Sequence, residues 1–161
     1  MMTMVVNAAG LAHEVIPAMK ARRSGAIITV ASIAGFAPGV AGHTLYPAAK
    51  SFAIRFSQSL QAELNGFGVK VTASCPGLTR TEFHQASGTQ AQADRAPGFV
   101  WQSAETVAQS AIAANERGVL IHVPGLHNRI AVWALQGLPE DWTRALAKRM
   151  MAPRRAPPKA S

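Results

Sequence analysis

The stretch Gly25-Ala26-Ile27-Ile28-Thr29-Val30-Ala31-Ser32 decides how this chain is read. From Ala26 to Ala31 the residues are small, apolar or β-branched, with no polar alternation. A run of that length reads as a strand buried on both faces, the kind that parallel sheets use. Before it, residues 5–23 place Leu11, Val15, Ile16 and Met19 at helical spacing, with Pro17 as a possible kink and Ser24-Gly25 as the stop. After it, a glycine- and proline-bearing loop runs from Gly35 to Gly42.

Further along, the alternation repeats. Residues 44–65 make a second helix, with Ala48, Phe52, Phe56 and Leu60 on one side and Gly66 as its stop. Val69 to Cys75 is a second apolar strand, closed by Pro76-Gly77. Residues 78–102 read as irregular, polar and mobile. Ser103 fits a helix cap, with Glu105 and Thr106 in the first turn. Val119 to Val123 is a third strand, ending at Pro124-Gly125, and an amphipathic helix interrupted at Pro139 leads to a basic tail. Helices alternating with buried strands indicate an α/β fold with a parallel sheet. Three strands are few for that class.

Bulk properties narrow the function. The chain has 161 residues, enough for one domain, and 48% apolar content argues for a globular protein. No apolar run approaches the length of a membrane span, and Met1 to Asn7 lacks the pattern of a signal peptide. One cysteine, Cys75, excludes an internal disulfide and suits a reducing cytoplasm. Net charge is +8, concentrated after Glu140, where Arg144, Lys148, Arg149, Arg154, Arg155 and Lys159 oppose Asp141 alone. Such a tail can meet nucleic acid or an anionic membrane. The plainer reading is a solvated, proline-rich end, so no nucleic-acid partner is expected.

The chemistry-bearing residues lie around the first strand. Tyr46 is the chain's one tyrosine, Lys50 follows it by four residues, and Ser32 precedes it by fourteen. Residues four apart share a helix face, so phenol and ammonium would be neighbours. A nearby cation favours phenolate over phenol, which suits proton exchange near neutral pH. A serine hydroxyl beside them could orient a carbonyl or alcohol. The pair alone fits an exposed helix contact equally well. His43, His84, His122 and His127 show no metal-ligand spacing, so no metal site is expected. Cys75, inside an apolar strand, reads as an inert packing residue, and Arg80 as solvent-facing.

The runs Gly25 to Gly35, Tyr46-Pro47-Ala48-Ala49-Lys50 and Pro76-Gly77-Leu78-Thr79-Arg80-Thr81 together resemble the classical short-chain dehydrogenase/reductase family in order and spacing. The resemblance extends from about Met4 to Pro124. It implies a Rossmann-like, doubly wound parallel sheet of which this chain carries only the later strands and helices, over residues 1–138. Residues 139–161 would form a C-terminal helix and a basic flexible tail.

The implied activity is NAD(P)-dependent hydride transfer between an alcohol and a carbonyl. Tyr46 would be the general acid/base, Lys50 would favour the phenolate and hold the nicotinamide ribose, and Ser32 would hold the substrate oxygen. Asn7, twenty-five residues before Ser32, matches the family's helix asparagine rather than its Asn-Asn-Ala-Gly motif, and would position a relay water. Pro76 and Gly77 would shape the loop beside the nicotinamide, with Thr79 and Thr81 holding its carboxamide. The segment after Thr81 corresponds to the substrate lid, where Phe83, His84 and Trp101 would meet a small-molecule substrate. The resemblance also implies a cytoplasmic enzyme that forms homo-oligomers when full length; Phe52, Phe56 and Leu60 suit either such an interface or the core.

The glycine-rich turn that holds a dinucleotide's pyrophosphate at a helix N-terminus is missing from this sequence. Roughly a hundred residues of the expected domain would precede Asn7, and the choice between NAD and NADP lies with them. Met1-Met2-Thr3-Met4 fits internal methionines of a longer helix. The alternative reading is therefore a non-catalytic remnant, a gene-model or pseudogene fragment that acts at most as an interaction protein. Either way, the first strand is expected to expose an unpaired apolar edge.

Overall fold

The computed structural model describes residues 2–39, 44–82 and 96–151, with side chains from residue 5 to residue 145. Helix α1 (Met2–Ala21) leads into strand β1 (Gly25–Val30), and a short 3₁₀ turn follows at Ile33–Phe36. Helix α2 (Leu45–Glu63) returns the chain to strand β2 (Val69–Ser74). Two-residue strands β3 (Thr79–Arg80) and β4 (Gln102–Ser103) flank a second 3₁₀ turn at Gly98–Val100. Then come α3 (Ala104–Glu116), β5 (Ile121–His122), α4 (Leu126–Gly137) and α5 (Glu140–Met151).

The main sheet is parallel, in the order β1-β2-β5, as helices between buried strands require. Gly25 pairs with Val69 and the register runs to Val30 opposite Ser74. Two apolar clusters hold it together. At one end Ala12 of α1, Leu60 of α2 and Leu64 just after it pack against Val69 and Val71. At the other, Ala53 and Ile54 of α2 close over Ala31, Ala73 and Cys75. Leu60 thus belongs to the core, and Phe56 packs against it while stacking on Phe52.

A polar clamp crosses the sheet. The buried Asn115 side chain donates its amide hydrogens among the Lys70 carbonyl (3.1 Å), the Thr72 hydroxyl (3.1 Å) and the Ile27 carbonyl (3.4 Å). Burying an amide requires such partners. Here they tie α3 to both β1 and β2.

Several sequence expectations change. The first helix spans Met2–Ala21 and runs through Pro17. The loop from Gly35 is in part a 3₁₀ turn that begins at Ile33, with the Ser32 side chain as its cap; positions 40–43 lie outside the described residues. The stretch read as irregular contains β3 and β4, paired in parallel with Thr79 opposite Gln102. Such a two-residue bridge carries no local periodicity. The third strand shortens to Ile121–His122. Ser103 caps α3 as expected, its hydroxyl accepting from the Thr106 amide at 3.0 Å.

The largest correction concerns β1. Rather than buried on both faces, it is half-buried or exposed along its length, and Val30 is 65% exposed. Among the described residues β2 is its only strand partner. On its other side α1 and α2 leave a groove of about 540 Å³, floored by Ala26 to Val30 and walled by Leu11, Val15, Ala49 and Phe56. Burial on both faces needs neighbours on both sides, and here one is lacking.

Candidate active site

In a parallel sheet flanked by helices, the carboxyl ends of the strands leave a crevice where polar groups converge. Ser32 follows β1, Pro76-Gly77 follows β2 and Pro124-Gly125 follows β5, so all three strand exits open on the same edge. The fold brings these segments together although the sequence separates them widely.

Ser32 is buried, 7% exposed. Its Oγ donates to the Pro76 carbonyl at 3.4 Å and accepts the Ala34 amide at 3.2 Å. The Ile33 amide also donates to the Pro76 carbonyl, at 3.0 Å. The serine is therefore held between the ends of β1 and β2.

Tyr46 and Lys50 sit one turn apart in α2, and the Lys50 Nζ lies 5.7 Å from the phenol ring centre. That distance suits a cation–π contact. Lys50 reaches from the helix to the sheet, donating to the Val30 carbonyl at 2.9 Å, the last residue of β1. Burial lowers its amine from the ordinary lysine value, opposed by Cys75 when that thiol carries charge. The Cys75 thiol is itself pushed up to about 12 by burial, against the pull of the Lys50 charge and a backbone hydrogen bond from Ser32. At neutral pH the thiol is thus neutral, and burial is the leading influence on Lys50. Cys75 is a buried packing residue, as the apolar strand implied.

Gly35 lets the 3₁₀ turn settle against α2. A Cβ there would stand 2.8 Å from the Lys50 backbone carbon and 2.7 Å from the Ile54 side chain. Asn7 lies on α1 with an exposed side chain, and its neighbour Ala8 lines the same groove as Lys50 and Ala49.

On the β2 side, Gly77 makes a close approach that no other residue type allows. A Cβ would fall 2.2 Å from Oδ1 of Asn128. Asn128 itself is buried and donates to the Pro124 carbonyl at 2.7 Å and to Gln102 Oε1 at 3.0 Å. It ties the Gly77 loop to the exit of β5 and to β4. Sequence reasoning missed this residue, because His127-Asn128-Arg129 reads as an exposed polar triplet at a helix start. Thr79 donates its hydroxyl to the Gly77 carbonyl at 3.3 Å, which braces the loop. Thr81 is exposed just beyond β3. Arg80 is exposed, as read, and stands over the Trp101 ring at 5.5 Å.

Ser32, Lys50 and Pro76 are joined through the ends of β1 and β2, with Tyr46 beside Lys50. Phe83, His84 and His43 lie outside the described residues. Among the described residues no cluster of three or more His, Cys, Asp or Glu could hold a metal, and no helix is long and apolar enough to cross a membrane.

The family model for short chain dehydrogenase matches residues 1–92, more than half of the chain. The chain belongs to the short-chain dehydrogenase family. An uncharacterized oxidoreductase of Myxococcus xanthus is 42% identical over 80 residues, which are 50% of this chain and 31% of that protein. A sulfoacetaldehyde reductase of Chromohalobacter salexigens is 38% identical over 95 residues, 57% of this chain and 37% of the relative. Among solved structures, a short-chain dehydrogenase from Sphingobium yanoikuyae in complex with NADPH superposes with a TM-score of 0.69 at 29% identity, covering 98% of this chain and 56% of that one. A short chain dehydrogenase from Burkholderia cenocepacia in complex with NADP shares the fold, with a TM-score of 0.71 at 22% identity over 94% of this chain and 57% of that one. This family member thus spans about a third of these two curated relatives and somewhat over half of these two solved ones.

Proposed function

We propose that the site interconverts an alcohol and a carbonyl by hydride transfer, with Tyr46 as general acid/base. The single observation that carries this is Lys50 bridging from the tyrosine's helix to the last carbonyl of β1, next to Ser32. The anchoring bond holds a cation one turn from a phenol at the sheet edge. The Ser32 hydroxyl, on turning its hydrogen away from the Pro76 carbonyl, can donate to a substrate oxygen. In the reducing direction Tyr46 gives its proton to the carbonyl oxygen as the carbon gains hydride, and in the oxidising direction it takes that proton back. Asn7 would orient a water that returns the proton by way of Lys50.

The donor set fits a nicotinamide ribose and carboxamide. Lys50 and Tyr46 offer an ammonium and a hydroxyl. Asn128 and Thr79 brace the Gly77 loop. Lys50 and Tyr46 would hold the ribose; Pro76, Gly77, Thr79 and Thr81 would frame the carboxamide. When bound, the nicotinamide supplies or accepts the hydride. Either NAD or NADP is compatible with these residues. A cytoplasmic, homo-oligomeric enzyme acting on a small molecule accords with this reading.

The test is a hybrid in which residues 1–125 replace the matching part of the Sphingobium yanoikuyae dehydrogenase. It should oxidise NADPH with an aldehyde or ketone, and Tyr46→Phe should lose about 10²- to 10⁴-fold in rate. Retention of most of the activity by the phenylalanine variant would remove Tyr46 from the proposed role. A second reading, a non-catalytic remnant that only binds other proteins, draws on the open edge of β1. A folded hybrid that is inactive with every carbonyl tried would favour it.

A further inference from the structure

Helix α4 is amphipathic with its apolar side outward. Asn128 and Val132 are its buried positions, four residues apart on one face. On the opposite face Leu126, Ile130 and Trp133 lie within about 60° of one another around the helix. They are 70%, 58% and 75% exposed. Past Pro139, Trp142 of α5 is 68% exposed while Thr143 beside it is buried. Two tryptophans and two long aliphatic side chains thus face outward on consecutive helices, where singly scattered apolar residues would be unremarkable.

The sequence from this helix to the C-terminus is net positive. From Leu126 to Ser161 there are seven Arg and Lys against two acidic residues. Glu140 and Arg144 pair with each other, which leaves six cations against Asp141. An outward apolar face bearing tryptophan, on a stretch of chain with net positive charge, is the pattern of a helix lying in an anionic lipid interface. Indole rings favour the headgroup level, and aliphatic side chains reach the acyl boundary.

We propose that α4 and α5 dock this protein peripherally on an anionic lipid surface, through Leu126, Ile130, Trp133 and Trp142, with the basic C-terminal residues as the electrostatic anchor. A second copy is the poorer occupant, since a two-fold contact would bring two net-positive ends of the chain together. Nucleic acid would use the cations and the indoles but gains little from exposed leucine and isoleucine. The docking is peripheral and independent of the redox reading.

The test is flotation of the 161-residue chain with phosphatidylglycerol/phosphatidylcholine vesicles and with pure phosphatidylcholine vesicles, alongside a duplex DNA binding assay. The chain should float with the anionic vesicles only, release in high salt, and show blue-shifted tryptophan emission. Ile130→Ser with Trp133→Ser should weaken partition by at least about tenfold at unchanged charge. Lys148→Gln with Arg149→Gln should weaken it by roughly fivefold per residue. All four positions can be changed with far-ultraviolet circular dichroism as the folding check, and the charge pair stands if the apolar pair fails to fold. The proposal is overturned by absence of anionic-vesicle binding, by equal partition into neutral vesicles, or by duplex DNA binding tighter than vesicle binding and indifferent to the apolar pair. It is equally overturned by a dimer in solution that the apolar pair dissociates while vesicle binding is absent.

Discussion

Strands β1 and β2 are each six residues long and rich in small and β-branched residues, with Lys70 and Ser74 the polar exceptions in β2, yet they occupy opposite environments. β2 has β1 on one edge and β5 on the other, and five of its six residues are buried. β1 has β2 alone among the described residues, and none of its six is buried. Strand character is local, whereas burial is conferred by neighbours. The site draws on both strands. Ser32 is the first buried polar residue beyond β1, and its partner is the Pro76 carbonyl beyond β2. The rigid strand therefore positions the residue that follows the open one.

The sharpest way to break this contrast is to put the same charge into both strands. Val71→Asp, in a position 1% exposed, should cost at least about 4 kcal/mol and leave the chain unfolded by circular dichroism. Val30→Asp should shift the melting midpoint by no more than a surface substitution does, within about 0.5 kcal/mol. Equal losses from the two would mean that β1 is covered as thoroughly as β2. Next in size is Asn115→Leu, which removes a donor from the Lys70 carbonyl and from the Thr72 hydroxyl, the hydroxyl keeping its own bond to the Val119 carbonyl, and should cost about 1–3 kcal/mol in urea titration. A neutral result would show that α3 does not clamp the two strands.

The pH dependence sharpens the comparison on a smaller scale. The Cys75 thiol, at the end of β2, is raised in the folded state from 9.0 to about 12. The unfolded chain therefore ionises first, and stability should fall as pH climbs above 9, by about 1 kcal/mol at pH 10. Lys50, tied to the end of β1, is lowered from 10.5 by burial. Stability linked to it should instead rise with pH in the window just below 10.5, where the unfolded chain still binds the proton. Cys75→Ala should thus turn a falling alkaline profile into a rising one, and an unchanged fall would contradict the assignment. At the acid end, burial and the Arg117 charge lower His122 from 6.5. Its contribution is present at neutral pH and should be lost as pH drops below about 6.5, a loss that His122→Gln would abolish. The smallest effect expected is none at all: isothermal titration of the 161-residue chain with NADPH should give no 1:1 isotherm, because the sequence holds no glycine-rich pyrophosphate turn.

How legible the molecule is follows from the same distinction between local and conferred properties. β1, α2 and β2 were readable to within a residue or two, since an unbroken apolar run and a 3.6-residue period are written in consecutive residues. The Ser103 cap was readable because capping is a three-residue event. The Thr79–Gln102 pairing was not, being a contact across more than twenty residues with two residues on each side. Of the site, the Tyr46–Lys50 neighbourhood was visible from helical spacing. That Ser32 is fixed by the Pro76 carbonyl, that Gly35 abuts Lys50, and that Asn128 covers Gly77 depend on approaches between distant segments. The apolar run at β1 implies an open edge and burial on both faces, and only the open edge agrees with the structure.

The central claim is that Tyr46 and Lys50 act as one proton-transferring unit at the joined ends of β1 and β2. A double-mutant cycle in the active hybrid tests it, with Tyr46→Phe, Lys50→Met and both together, reading carbonyl reduction rates at pH 7. Residues that act as a unit are non-additive, so the double variant should be no slower than the worse single one. Rate losses that multiply across the two substitutions would contradict it.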